Sequence, residues 1–195
     1  MDEKLVALVR ELETFGEMHD ARETDHARRM LNITRDTGEF LLVLMRAVRA
    51  QRVLEIGTSN GYSTLWLAHA VVPREGRVIT LEQSAFKIEM ARANFRRAGL
   101  ESRIDLRVGD ATDFLRQTID AFDFIFLDSS RGQYVAWWND LQRILAPGGL
   151  IVADNAVSHA NEMAEFMRVV RAMPGYTTSL VPVGNGEFLA LKETE

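Results

Sequence analysis

Five acids, Glu55, Glu82, Asp110, Asp128 and Asp154, stand at or near the ends of five short apolar runs. In an open α/β sheet, ligands bind outside the carboxyl ends of the strands, so acids gathered there face whatever is bound. Such a ring of like charge repels itself, and something must neutralise it or donate hydrogen bonds to it. Sugar hydroxyls, an exocyclic amine, an ammonium or sulfonium centre and a hard divalent cation are the groups that can. The first acid opens the loop Glu55-Ile56-Gly57-Thr58-Ser59-Asn60-Gly61-Tyr62-Ser63. Its two glycines sit where backbone must approach a ligand closely and then open a helix. The spacing is G-x-x-x-G, without the third glycine of the pyrophosphate-binding G-x-G-x-x-G, and the preceding acid repels phosphate. A cationic or zwitterionic ligand therefore fits this loop better than the dinucleotide of a nicotinamide dehydrogenase. Glu82, about 25 residues after Gly57, occupies the place of the ribose-binding acid of a nucleoside site.

The elements that must position these acids are legible in the spacing of apolar residues. Arg52 to Ile56, Arg77 to Leu81, Arg103 to Val108, Phe122 to Leu127 and Leu150 to Ala153 read as strands alternating with helical segments, the signature of a parallel sheet wound by β-α units. The fourth and fifth runs are continuously apolar, as central strands covered on both faces are. The third alternates, with Asp105 and Arg107 between Ile104, Leu106 and Val108, which predicts an edge. Helical registers appear in Ile88, Ala91 and Phe95, in Tyr134, Trp138, Leu141 and Leu145, and in Met163, Phe166, Met167 and Val170. After the last of these, Tyr176 to Val183 and Glu187 to Leu191 flank Gly184-Asn185-Gly186 and predict a β-hairpin. Ahead of the sheet, Leu5, Leu8, Leu12 and Phe15, then Leu41, Leu44, Met45 and Val48, predict two helices, with Gly38 near their junction. The expectation is a Rossmann-like α/β fold, mostly parallel with a C-terminal antiparallel hairpin. One domain over 1–195 is expected, with N-terminal helices over 1–50 packed on an α/β core over 51–195.

Composition narrows the partners. The chain has no cysteine, which removes thiolate nucleophiles and zinc-thiolate sites and leaves oxygen or imidazole as metal ligands. A net charge of −5 argues against a nucleic-acid scaffold and for a small-molecule substrate. No apolar run approaches the roughly 20 residues of a membrane helix, and the charged start is unlike a signal peptide. A cytoplasmic protein with no membrane partner is expected, and its N-terminal helices could pair it as a homodimer.

Taken with these features, several motifs resemble the class I S-adenosylmethionine-dependent methyltransferases. Within them the chain is similar to the cation-dependent O-methyltransferases typified by catechol and caffeoyl-CoA O-methyltransferases. The likeness runs from about Met30 to Leu191. It is carried by the glycine loop, by Val108-Gly109-Asp110-Ala111, by Phe126-Leu127-Asp128 with Arg131 and Tyr134, and by Pro147-Gly148-Gly149 with Ile151-Val152-Ala153-Asp154-Asn155. The stretch Asn32 to Phe40 is similar to the family's entrance segment, and Val181 to Gly186 to the caffeoyl-CoA branch. The resemblance implies a donor site of Ile33, Glu55, Gly57, Thr58, Ser59, Ser63, Glu82, Gly109, Asp110, Ala111 and Asp128, with S-adenosylmethionine as donor. It further implies a divalent cation, magnesium, manganese or calcium, held by Asp128, Asp154 and Asn155. Two carboxylates and an amide oxygen suit a hard ion that acidifies a vicinal dihydroxy acceptor.

Arg131 stands where the family usually has lysine, and a guanidinium with a pKa above about 12 is a poor base. Its roles as a catalytic group are then to steer the acceptor and stabilise its oxyanion. Plainer readings compete. Asp154-Asn155 also suits a turn and helix cap, Asp110 a cap of the next helix, and Arg131 a surface cation. His159 is a candidate base or ligand against the commoner exposed histidine near a helix start. Trp66, Trp137 and Trp138 fall at core-like helical spacings. The expected activity is O-methylation of a small catechol-like or other aromatic acceptor. The alternatives are a metal-independent small-molecule methyltransferase and a non-catalytic donor-binding module.

Overall fold

The computed structural model describes residues 1–194. Helices α1 (Glu3–Asp20) and α2 (Arg35–Ala47) precede β1 (Arg52–Ile56), α3 (Tyr62–Val71), β2 (Arg77–Glu82), α4 (Ala85–Ala98), β3 (Ile104–Val108) and α5 (Ala111–Gln117). Then follow β4 (Phe122–Leu127), α6 (Tyr134–Ile144), β5 (Leu145–Ala153), α7 (Ala160–Arg171), β6 (Tyr176–Val181) and β7 (Glu187–Lys192). The strands form one seven-stranded sheet in the order β3-β2-β1-β4-β5-β7-β6. The first five are parallel, and β7 joins β5 and β6 antiparallel. The alternating strand β3 lies at the edge, and the apolar β4 lies between β1 and β5.

Side-chain parity along the strands builds a core on each face. Val53, Val78, Phe124, Phe126 and Val152 pack under residues of α1 to α4. Leu54, Ile56, Ile125, Leu127 and Ile151 pack under α5 to α7. Strand β5 begins at Leu145, five residues ahead of the predicted Leu150. Its pairing with β4 shifts register between Phe122 and Phe124, so the Pro147-Gly148-Gly149 stretch is carried inside the strand. The N-terminal helices have local causes: Asp2 caps α1 by accepting from Leu5 N at 2.8 Å, and Thr34 caps α2 by accepting from Thr37 N at 3.2 Å. Leu5, Leu8, Leu12, Leu41 and Met45 are buried as their spacing predicted, whereas Phe15 and Val48 are each 38% exposed. Phe15 instead stacks on His19, ring centroids 5.4 Å apart.

Gly38 lies in the first turn of α2, one turn inside the helix rather than at a junction. A Cβ there would come within 2.5 to 2.7 Å of three indole atoms of Trp66, so the missing side chain lets α2 close on α3. The two consequences of Gly38→Ala oppose each other. Overpacking a tight core costs about 1–3 kcal/mol, while helix propensity returns at most about 1 kcal/mol. A net loss of about 1 kcal/mol is expected, seen as a lower urea midpoint at unchanged slope. A midpoint at or above that of the wild type would refute this account of the α2–α3 contact.

Candidate active site

The order of the sheet reverses between β1 and β4, and at that point the loops after the two strands diverge and leave a crevice. The strand ends are brought level by backbone bonds that continue the ladder past each strand. Gly57 N and Thr58 N donate to Leu81 O, Gly109 N to Glu82 O, Asp128 N to Ile56 O and Asp154 N to Leu127 O, all at 3.0 to 3.2 Å. Gly57 has φ +110°, and a Cβ on it would overlap the backbone oxygen of Asp128. Only glycine lets the two loops meet there. The cavity that results has a volume of about 690 Å³.

One end of the cavity is formed by the glycine loop and the entrance segment. Ser59 bonds both: its N donates to Glu82 Oε2 at 2.8 Å, and its hydroxyl donates to Met30 O at 2.6 Å. Asp20 accepts from Met30 N at 2.6 Å and Leu31 N at 2.8 Å, which fixes the segment from the other side. Glu82 also accepts from Gln83 N and Ser84 N. Its carboxylate is held in one orientation at the cavity wall.

The other end gathers Asp128, Asp154, Asn155 and Arg131. Asp154 is 3% exposed, and its Oδ1 is buried without a hydrogen-bond partner. Asn155 adopts a left-handed conformation, φ +67°, which asparagine tolerates better than most residues. This turns its amide onto both acids: Nδ2 donates to Asp154 Oδ2 at 2.8 Å and lies 3.5 Å from Asp128 Oδ1. Burial raises the Asp128 carboxyl well above its usual range, and the nearby Asp154 and Glu55 raise it further, against the opposing charge of Arg131. Burial raises Asp154 too, opposed first by the neighbouring Glu187 and then by Asn155, Arg131 and His159. Tyr134 pins the turn after β4, its hydroxyl accepting from Ser129 N at 2.8 Å and donating to Ser129 O at 3.2 Å.

With this geometry in hand, comparison with known proteins is decisive. The sequence matches the family described as O-methyltransferase over residues 8–193. The chain belongs to that family. A catechol O-methyltransferase of Niastella koreensis is 37% identical over 139 residues, which cover 69% of this chain and 62% of that protein. One from Mycobacterium tuberculosis is 40% identical over 134 residues, covering 68% and 60%. The match thus spans about three fifths of the length of these two relatives. An O-methyltransferase from Bacillus cereus, solved in complex with SAH, superposes with a TM-score of 0.80 at 27% identity over 96% of this chain and 91% of that one.

Set against the positions that the family resemblance implied, the structure brings most of them to one cavity. Ile33, Gly57, Thr58, Ser59, Ser63, Glu82, Gly109, Ala111, Asp128, Arg131, Asp154 and Asn155 all line it. Two of the implied donor residues stand outside the lining. Glu55 shares strand parity with Val53 and so points to the α3 face. There it is fully buried and accepts from Ser63 Oγ, Thr64 Oγ1 and Thr80 Oγ1 at 2.5 to 2.6 Å. Asp110 is exposed and caps α5, accepting from Thr112 N at 2.7 Å. His159 lines the cavity and shares a 2.9 Å hydrogen bond with Ser158. Of the tryptophans, Trp66 and Trp138 are core, whereas Trp137 is buried and also lines the cavity, its indole N donating to Thr112 Oγ1 at 3.1 Å.

Sequence reading missed Gln133 and Glu162, which line the cavity, and Glu187. Glu187 is fully buried, accepts from Thr37 Oγ1 at 3.0 Å, and has its Oε2 otherwise unpartnered. Burial and then the nearby Asp154 push it up to about 10. A glutamate that opens a strand carries no signal of burial. The tie to Thr37, 150 residues away in sequence, is made only by the fold.

Burial also raises Glu55, to about 7, against three hydroxyl bonds that favour its anion. Its folded value lies above the unfolded one, so the native state binds the extra proton between about pH 4.5 and 7. The associated stability is complete below about pH 4.5 and is lost as pH rises through 7. The loss is about 3 kcal/mol at 1.36 kcal/mol per pH unit. Glu55→Gln should flatten this part of the stability-pH curve relative to the wild type, measured by urea unfolding from pH 5 to 8. Parallel curves would show that Glu55 is already ionised at pH 5.

Proposed function

We propose that this protein is an S-adenosylmethionine-dependent O-methyltransferase acting on a small catechol-like acceptor, with a divalent cation at Asp128, Asp154 and Asn155. The observation that carries the reading is the continuity of one cavity. The glycine loop, Glu82 and Ala111 lie at one end, and half-buried Asp128, buried Asp154 and the Asn155 amide at the other. The S-adenosyl ligand of the Bacillus cereus relative and the catechol acceptors named for the bacterial relatives support it.

The residues fit such an ion. Two carboxyls with raised proton affinity gain by exchanging protons for a cation. The unpartnered Oδ1 of Asp154 is an unused ligand atom, and carboxylate and amide oxygens are the donors that hard ions select. When bound there, the ion supplies a Lewis acid that lowers the pKa of an acceptor hydroxyl. No group of three His, Cys, Asp or Glu residues is arranged to hold a metal among the described residues; the third ligand would be the amide oxygen of Asn155, which here accepts from Ser158 Oγ at 3.1 Å while Nδ2 faces the acids, so the amide turns over to ligate.

The chain's own groups then account for the rest of the chemistry. Glu82, held by three backbone N–H groups, presents its remaining lone pairs to the ribose hydroxyls. The loop at Gly57 admits the donor's backbone-sized contacts and keeps its sulfonium near Asp128, whose negative charge favours it. The acceptor oxygen forms its bond to the methyl carbon as the carbon–sulfur bond breaks, and the acceptor's proton leaves for solvent. Proximity and in-line alignment are the main contributions of such a site. The Arg131 guanidinium stabilises the anionic oxygen and does not act as a base. We read residues 1–195 as one methyltransferase domain of a cytoplasmic protein. Its net charge of −5 is unsuited to nucleic acid, and Phe15 and Met18, exposed together on α1, are the apolar surface through which a homodimer would pair.

An acceptor screen with labelled donor, with and without chelator, tests donor, metal and acceptor class together. Transfer to catechol should stop with chelator and return with magnesium or manganese. Asp154→Ala should lose manganese binding by calorimetry and at least about 100-fold in turnover, with binding of S-adenosylhomocysteine retained. Turnover indifferent to chelator and to Asp154→Ala would leave a metal-independent methyltransferase. Donor binding without transfer to any acceptor would leave a binding module.

A further inference from the structure

Arg131 is held by one partner. Its Nε donates to Glu162 Oε2 at 3.0 Å, and neither Nη atom is hydrogen-bonded to a described residue. The two residues come from different elements. Arg131 lies in the turn after β4, three residues beyond Asp128, and Glu162 lies in the first turn of α7, beyond Asp154 and Asn155. Both line the cavity. The arginine side chain is 21% exposed, and it lines the same cavity as Asp128 and Asp154.

A guanidinium is planar, and its five N–H donors have fixed directions. Once the Nε–H is fixed on Glu162, the plane has a set orientation and the two Nη groups are the remaining donors. An exposed ion pair of this kind contributes little to stability, and the glutamate is 54% exposed. Its value lies in the direction it imposes. Lysine, with a single rotatable ammonium, needs no such partner, so the requirement for Glu162 comes with the arginine.

We propose that Glu162 is a positioning residue for methyl transfer, holding the Arg131 guanidinium so that its Nη groups meet the acceptor oxygen as it becomes anionic. The proposal rests on the reading of this cavity as a methyl-transfer site. A donor fixed in advance toward developing charge stabilises the transition state without reorganising, and one left to swing loses that advantage.

The test uses the full-length protein with magnesium, S-adenosylmethionine as donor and catechol as acceptor. Glu162→Gln should lower kcat about 10-fold with little change in KM for the donor, in affinity for S-adenosylhomocysteine by calorimetry, or in thermal midpoint. The limb of the kcat–pH profile that reports ionisation of the acceptor should move to higher pH. Arg131→Ala should cost at least as much, and Glu162→Ala placed on Arg131→Ala should cost nothing further, because the glutamate acts through the arginine. With Arg131→Lys as background, Glu162→Gln should change kcat less than about 2-fold. Wild-type turnover and an unmoved pH limb in Glu162→Gln, or a full additional loss on the Arg131→Ala background, would overturn the positioning role. If the wild-type protein binds donor but transfers no methyl group to catechol, the reading of the site fails, and this inference fails with it.

Discussion

Four carboxyl groups, those of Glu55, Asp128, Asp154 and Glu187, are packed around the carboxyl ends of β1, β4, β5 and the start of β7, and removing them from water is the constraint that shapes this end of the molecule. An unpaired buried carboxylate is expensive, and the four are answered in three ways. Glu55 takes three hydroxyls from α3 and β2. Glu187, whose proton affinity burial raises, takes a hydroxyl from α2. Asp128 and Asp154 share the Asn155 amide and the field of Arg131. The last two are the least satisfied, and they are the two that face the cavity. The fold thus satisfies two of these four carboxyl groups internally and leaves the other two open toward the crevice.

The same constraint explains why the N-terminal helices are part of the site's support. Thr37 reaches Glu187 from α2, Gly38 lets α2 close on Trp66, and the segment between α1 and α2 is fixed by Asp20 on one side and Ser59 on the other. The entrance to the cavity and the base of the acid cluster are thereby fixed by one helix-turn-helix unit rather than by the sheet alone.

Legibility in the sequence followed the range of the physics involved. The five parallel strands, the hairpin, the edge position of β3 and the buried face of α7 depend on local periodicity, and local periodicity is enough to find them. The acids at the strand ends were visible for the same reason. What a chain of letters does not carry is direction. Glu55 and Glu82 end adjacent strands, yet parity sends the first beneath α3 while three backbone N–H groups turn the second to the cavity wall. Asp110 sits in a motif implied to contact the donor, but its carboxylate is taken by the backbone of its own helix. Glu187 and Glu162 acquire their roles from partners 150 and 31 residues away, and neither type nor spacing announces them. The early start of β5 shows the same limit, because Pro147 and two glycines separate Leu145, which pairs with Phe122, from Leu150, which pairs with Phe124.

The turn between β6 and β7 does more than reverse the chain. Asn185 O accepts from Val157 N and Ser158 N, and Gly186 O from Ala156 N, so the loop that follows Asp154 and Asn155 is held by backbone that is synthesised about 30 residues later. A Cβ on Gly186 would overlap Val157, which shows how closely the turn sits on that loop. During translation the glycine loop and its neighbouring strands emerge well before this clasp. The frame of the acid end is therefore complete only once the hairpin is in place, and a chain cut short before it would keep the glycine loop but lose the clasp on the loop after Asn155.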